Sequence, residues 1–231
     1  TRIEVGVQSL DDATLLNVER GHDVSATVRA TRLAKDAGFK VGYHMMPGLP
    51  GETPESDLAT FERLFSDDDF KPDILKLYPT LVIGGTGLHE MWKSGKYEPY
   101  PQDILVKLLA DIKERLPKWV RIQRIQRDIP VQLIEAGGKQ SHIRELAQWE
   151  LEARGKKCRC IRCREAGHNF LKGRDAGEIT QLEGHYSASG GREYFVSFED
   201  VDMDILVGFA RRRMPSDSAH RPEMAGSAII R

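Results

Sequence analysis

Two hydrophobic rhythms run through the first third of the chain. TRIEVGV, residues 1–7, places apolar, mostly β-branched residues at alternate positions, which predicts a strand. Helical patterns follow over residues 11–20 and 25–37, the second with Ser25 as its N-cap and Gly38 just past its end. FKVGYHMMPGLPGET reads as a strand running into a Gly/Pro turn. TPESDLATFERLFS reads as a helix capped by Thr53, with Pro54 at its first position and acids in its first turn. DILKLYPTLVI is the next strand. Strand, helix, strand, helix, strand is the order of an α/β unit built on a parallel sheet or barrel.

After Gly87 the rhythm changes. Residues 102–115 are an amphipathic helix. WVRIQRIQRDIP interleaves Val120, Ile122 and Ile125 with Arg121, Arg124 and Arg127, with one slip in the alternation. Simple alternation puts Arg121 and Arg127 on one face and Arg124 on the other, unless a bulge resets the register. Residues 141–154 form a further helix. GEITQLEGHYSASGGREYFVSFEDVDMDILVGFARRRM predicts two or three antiparallel strands around a Gly190–Gly191 turn, the start of a second domain.

Composition adds little until it is split by region. At 231 residues, 40% hydrophobic and 30% charged, the chain suits a soluble protein with one large or two smaller domains. No apolar run approaches the ~18–20 residues of a membrane span. TRIEVGVQSL has no basic n-region followed by an apolar h-region, so a cytoplasmic location and no membrane partner are expected. The net charge of −1 hides an asymmetry. Residues 107–174 hold 17 Lys/Arg against 8 Asp/Glu, while the remainder holds 17 against 27. A local +9 beside −10 predicts a polyanion-binding face; a merely solvated basic surface is the alternative.

All three cysteines fall in KKCRCIRCREAGHN, at C-x-C-x₂-C spacing. An odd number in a chain expected to be cytoplasmic disfavours a disulfide. An iron–sulfur cluster lacks its usual fourth thiolate. Three close thiolates and a nearby His suit tetrahedral zinc, on Cys158, Cys160, Cys163 and His168, with His142 as the alternative fourth ligand. Neighbouring Lys and Arg favour the thiolate form. A stapled loop would also hold Arg159, Arg162 and Arg164 ready for phosphates at a lower ordering cost.

GVQS, RGH and GLPGET, in that order, resemble the second half of the radical S-adenosylmethionine (SAM) barrel. HMMPGLPG, LKLYPTLVIGGTGL, WKSGKYEPY, RIQRIQRDIP and YFVSFEDVDMDILVGFARRR narrow the resemblance to the catalytic subunit of Elongator, the tRNA uridine acetyltransferase/carboxymethylase family, in its bacterial or archaeal form. It runs nearly end to end. It implies the second half of a partial (βα) barrel over residues 1–100, a zinc-stapled basic linker over 101–175, and the first antiparallel strands of a GNAT-like acetyltransferase domain over 176–231. It further implies an internal piece, inactive by itself. The radical SAM cysteines holding a [4Fe–4S] cluster would lie upstream of Thr1, and most of the acetyl-CoA site downstream of Arg231.

The implied reaction is carboxymethylation of the tRNA wobble uridine: a SAM-derived radical abstracts hydrogen from the methyl of an acetyl group supplied as acetyl-CoA, and the carbon radical adds to the uracil ring. By the same resemblance Gln8 contacts the ribose or amino-acid moiety of SAM and Arg20 its carboxylate. His44 stands where the wider superfamily often has an Asp on the ribose. Lys76 ends an apolar strand and Tyr78 points the same way, so both are candidates for the substrate side of the barrel mouth. Arg121, Arg124, Arg127, Arg159 and Arg162 are the candidate contacts to the anticodon stem-loop. A homodimer or further Elongator-type subunits are the possible protein partners. A protein lysine acetyltransferase and a non-catalytic RNA-binding scaffold are the competing functions.

Overall fold

The structure, a computed structural model, describes all residues except 139–141 and 225. In chain order its elements are β1 (Arg2–Gln8), α1 (Asp12–Asn17), α2 (Val24–Asp36), β2 (Lys40–Met45), α3 (Pro54–Ser66), β3 (Ile74–Leu77), β4 (Val82–Ile83), α4 (Gly87–Lys93), α5 (Gln102–Arg115) and β5 (Arg121–Ile125), then β6 (Ile134–Ala136), α6 (Ile143–Ala153), α7 (Ile161–Arg164), α8 (Ala166–Phe170), β7 (Thr180–Ala188), β8 (Gly191–Asp200), β9 (Ile205–Met214) and β10 (Ile229–Ile230). Strands β1, β2, β3 and β5 form a parallel sheet in that order, and β10, β9, β8 and β7 an antiparallel one.

One face of the parallel sheet packs into the hydrophobic core. Val7, Val41, Tyr43, Met45, Leu75, Leu77, Ile122 and Ile125 pack with Phe61 and Leu64 of α3, Leu105 and Leu109 of α5, and Ala147 and Leu151 of α6. Each such aliphatic side chain contributes roughly 1.5–3 kcal/mol when taken out of water. The opposite face carries Glu4, Gly6, His44, Lys76, Tyr78 and Arg124, none of them part of that core.

Several local expectations shift. Helix α1 stops at Asn17, which leaves Arg20 in the following loop. Asp23, not Ser25, caps α2: its carboxylate accepts the Ala26 amide at 2.7 Å, and Ser25 donates its hydroxyl to the same oxygen. Thr53 caps α3 as expected, in a capping box with Ser56. DILKLYPTLVI divides into β3 and β4 around Pro79, which has no amide to donate to a ladder. The hairpin turns on Ser189 and Gly190, with φ of 49° and 73°, one residue earlier than expected, and Gly191 already pairs with Ala188. The expected start of α6 at residue 141 lies outside the described residues.

The stretch 101–175, expected as a linker, supplies the fourth strand of the parallel sheet and two helices, α5 and α6, that pack together. The slip in RIQRI is a bulge: Leu75 aligns with Ile122 but Lys76 with Arg124, so Gln123 is the extra residue. The bulge keeps both Ile122 and Ile125 in the core and returns Arg124 to the opposite face.

The antiparallel sheet is keyed to the amino-terminal rim of the parallel sheet by buried charges. Asp73 receives Arg231 at 2.5 and 3.0 Å and the Val41 amide at 2.8 Å; Arg211 Nη1 lies 2.9 Å away in ion-pair rather than hydrogen-bond geometry. Arg213 donates to Asp36 and Glu193, and Lys35 reaches Glu193 at 3.4 Å.

Candidate functional site

Three groups of polar residues stand out. The first lies at the carboxyl end of β1. Gly6 leaves a space that two other side chains occupy: a Cβ there would sit 2.7 Å from Arg20 Nη2 and 3.0 Å from Gln8 Nε2. Arg20 donates to the Gly6 carbonyl at 2.9 Å and to His22 Nε2 at 3.2 Å. Gln8 has φ of 70° at a shift in the β1–β2 register, a backbone state that few non-glycine residues adopt. Gln8 and Arg20, expected together, are brought together. His22, part of the same RGH word, was passed over.

The second group spans the open face. Glu4 accepts from His44 Nε2 at 2.8 Å and also from Lys76. Burial pushes the Glu4 carboxyl up, but the Lys76 and His44 hydrogen bonds and the charges of Lys76 and Arg2 outweigh it and hold it below the usual carboxylate range. Tyr78 packs edge-on against His44, with ring centroids 5.4 Å apart. Lys76 is thus not simply reaching for solvent; it is paired. Glu4 was missed, and its signal was a carboxylate at the non-apolar phase of a strand otherwise read for its apolar positions.

The third group is the cysteine loop. The Sγ atoms of Cys158, Cys160 and Cys163 lie within 4.8 Å of one another, which matches the span of a single tetrahedral metal's ligands. The neighbouring Cys158 and Cys163 thiols outweigh the effect of burial and, with the nearby Cys163 and Ile122 amides, hold the Cys160 thiol well below the usual thiol range. His168 is not brought into this cluster: it is half-exposed, with Nε2 3.1 Å from Glu165 Oε1. The loop also covers the free edge of β5. Ile161 donates its amide to Val120, and Arg144 donates to the Ile122 carbonyl. These contacts answer the unpaired backbone groups that an edge strand exposes.

The basic residues divide by partner. Arg121 donates to both oxygens of Glu165, at 2.6 and 3.0 Å. Arg164, expected near phosphates, is buried and bridges to Glu199 and to Asp204. Its burial makes it a tie to the antiparallel sheet. Arg124 pairs with the exposed Asp128 at 2.9 Å. Among the described residues Arg127, Arg159 and Arg162 have no carboxylate partner. Arg162 lines a cleft of about 700 Å³ beside Cys158 and Cys163, together with Arg144, Lys157 and Lys172. No helix among the described residues is long and apolar enough to cross a membrane.

Known proteins resemble the chain over nearly its whole length. A model of the radical SAM superfamily matches residues 1–64, and one of the radical SAM C-terminal domain matches residues 72–153. The tRNA uridine(34) acetyltransferase of Methanocaldococcus infernus is 48% identical over 93% of this chain, and that of Dehalococcoides mccartyi 52% over 94%. The Elongator complex protein 3 of Homo sapiens is 44% identical over 100%. A solved structure of the archaeal Methanocaldococcus infernus Elp3, with an N-terminal deletion, superposes with a TM-score of 0.94 at 47% identity, covering 96% of this chain and 53% of that one. The chain belongs to the radical SAM superfamily and, within it, to the tRNA uridine(34) acetyltransferase (Elp3) family. It spans 41% of the length of the first of these relatives and 47% of the second.

Proposed function

We propose that the protein to which this chain belongs carboxymethylates the wobble uridine of tRNA, with SAM and acetyl-CoA as co-reactants. The convergence of Gln8 and Arg20 over Gly6, at the carboxyl end of a parallel strand, carries the reading. Ligands of parallel sheets collect at that end. A planar guanidinium suits a cofactor carboxylate, and the amide of Gln8 suits a ribose or amino-acid group. Bound SAM and a [4Fe–4S] cluster would supply radical chemistry. The cysteines of this chain are assigned instead to zinc, whose chemistry their three converging sulfurs fit. A water or a residue other than His168 would complete its coordination.

On this reading the parallel sheet is part of a partial barrel, and residues 176–231 open a GNAT-like acetyltransferase domain that meets acetyl-CoA. The basic stretch 107–174 holds the anticodon stem-loop through Arg127, Arg159 and Arg162 rather than Arg121. Elongator-type subunits or a second copy are the protein partners.

The test is the full-length protein with tRNA, SAM and acetyl-CoA, followed by mass analysis of the anticodon nucleosides. A carboxymethyl group on uridine is expected. Acetyl-CoA turnover without tRNA would favour a protein acetyltransferase, and binding without modification a scaffold. Two further results are expected. Arg20→Ala should weaken SAM binding by about 10- to 100-fold, the worth of a charge-assisted contact; an unchanged Kd in calorimetry would leave Arg20 as a tie to the Gly6 carbonyl. Converting Arg127, Arg159 and Arg162 to Gln should weaken tRNA binding and flatten its salt dependence, by about one unit or less per lost phosphate contact. Arg121→Gln should leave that slope unchanged, since its guanidinium is committed to Glu165.

A further inference from the structure

Across the open face, His44, Lys76 and Arg124 stand in one row. They align through the β2–β3 and β3–β5 ladders, and each is the next-to-last residue of its strand. Residues aligned in neighbouring parallel strands share a face, and the bulge at Gln123 is what brings Arg124 into register with Lys76. Three basic side chains are therefore placed side by side at the carboxyl ends of the strands. Two carboxylates oppose them. Glu4, one level below, clamps His44 and Lys76. Asp128 meets Arg124 from solvent with its side chain 86% exposed. An exposed ion pair of that kind is worth about 0–1 kcal/mol, so another anion displaces it readily.

The row and the Gln8–Arg20 group sit on different strands. Arg124 stands three strands from β1, so its backbone is roughly 14 Å away at ~4.8 Å per strand, while the Lys76 side chain reaches back to Glu4 of β1. SAM binding by the variants below therefore separates the two groups.

We propose that Lys76 and Arg124, flanked by His44, form a second oxyanion site on this face, and that it takes a backbone phosphate of the RNA next to the reacting uridine. This rests on the proposed function. Arg2, which also meets Glu4 at 3.0 Å, Lys76 and Arg124 set against Glu4 and Asp128 leave about one positive charge, which matches one phosphodiester. Glu4 is the positioning residue: it fixes the Lys76 ammonium from below, so the row is ordered before RNA arrives.

The experiment uses full-length protein and two anticodon stem-loop RNAs, one unmodified and one with a neutral methylphosphonate at the linkage 5′ to the target uridine. Wild type should bind the neutral RNA about tenfold more weakly. Lys76→Gln and Arg124→Gln should bind the unmodified RNA about tenfold more weakly and show no further loss with the neutral linkage. Lys76→Arg should keep the preference for the charged linkage. SAM binding should be unchanged in all three variants. Independent, multiplying losses, or variants that bind both RNAs like wild type, would overturn the site while leaving the uridine reading intact. Loss of SAM binding with normal RNA binding would assign the row to the cofactor's carboxylate and overturn it as well. A wild-type protein that fails to bind the stem-loop overturns both.

Discussion

Asp73→Ala is expected to lower the unfolding free energy of this chain by about 3–5 kcal/mol, the cost of removing one member of a buried ion network. Asp73 is fully buried and serves Arg231, Arg211 and the Val41 amide at once. Its loss leaves two buried guanidiniums facing each other without their shared counter-charge, and Glu193 compensates only Arg231. Urea unfolding at neutral pH measures the change; a loss under about 1 kcal/mol would show that the network relaxes around the deletion. The wild-type pH dependence follows from the same group. Burial would raise the Asp73 carboxyl, but the charges of Arg211, Lys35 and Arg231 and the Arg231 hydrogen bond hold it well below the usual range. Its stabilisation is complete above the unfolded value of about 3.9 and is lost as pH falls through the lower folded value. Thermal stability should therefore hold from neutral pH to about pH 5 and decline below about pH 4. In Asp73→Ala the acid decline should be shallower.

Cys160→Ser is expected to reduce bound zinc from near one per chain to near none and to open the edge of the parallel sheet. Cys160 is the middle sulfur of the three and fully buried, and the Ile122 amide of β5 is among the groups that lower its thiol. Structural zinc contributes folding energy outright where a loop has little core of its own. Elemental analysis gives the metal content. Amide exchange then separates the loop from the sheet. In the variant, or after chelation of wild type, the Ile122 and Ile161 amides should exchange faster, while the Val41 amide, donated to the buried Asp73, stays protected. Retained zinc, iron in its place, or unchanged exchange at Ile122 would refute the role assigned to this loop.

What the chain shows of itself is local. The alternation in TRIEVGV separates Val5 and Val7 from Glu4 and Gly6 without reference to anything else, and Thr53 and Pro54 carry their own instruction to begin a helix. Cys158, Cys160 and Cys163 fall within six residues, near enough for one short turn to bring their sulfurs together. Gln8 and Arg20 were legible through a motif that joins a strand end to a loop twelve residues on. Partner choice was not legible, because it depends on which strands become neighbours. Glu4 meets Lys76 across 72 residues only because β2 lies between β1 and β3. Arg121 is spent on Glu165, and Arg164 on Glu199 and Asp204, because the cysteine loop folds back along β5 and against β9. His168 is drawn to Glu165, three residues before it on the same short segment, rather than to the sulfurs. The bulge at Gln123 decides which arginine joins the open face, and the energy that sets it belongs to Ile122 and Ile125, both of which must reach the core. Backbone preference acts over a few residues and can be read in order; the pairing of charges is settled by topology, since a charge is buried only where the completed fold brings its counter-charge.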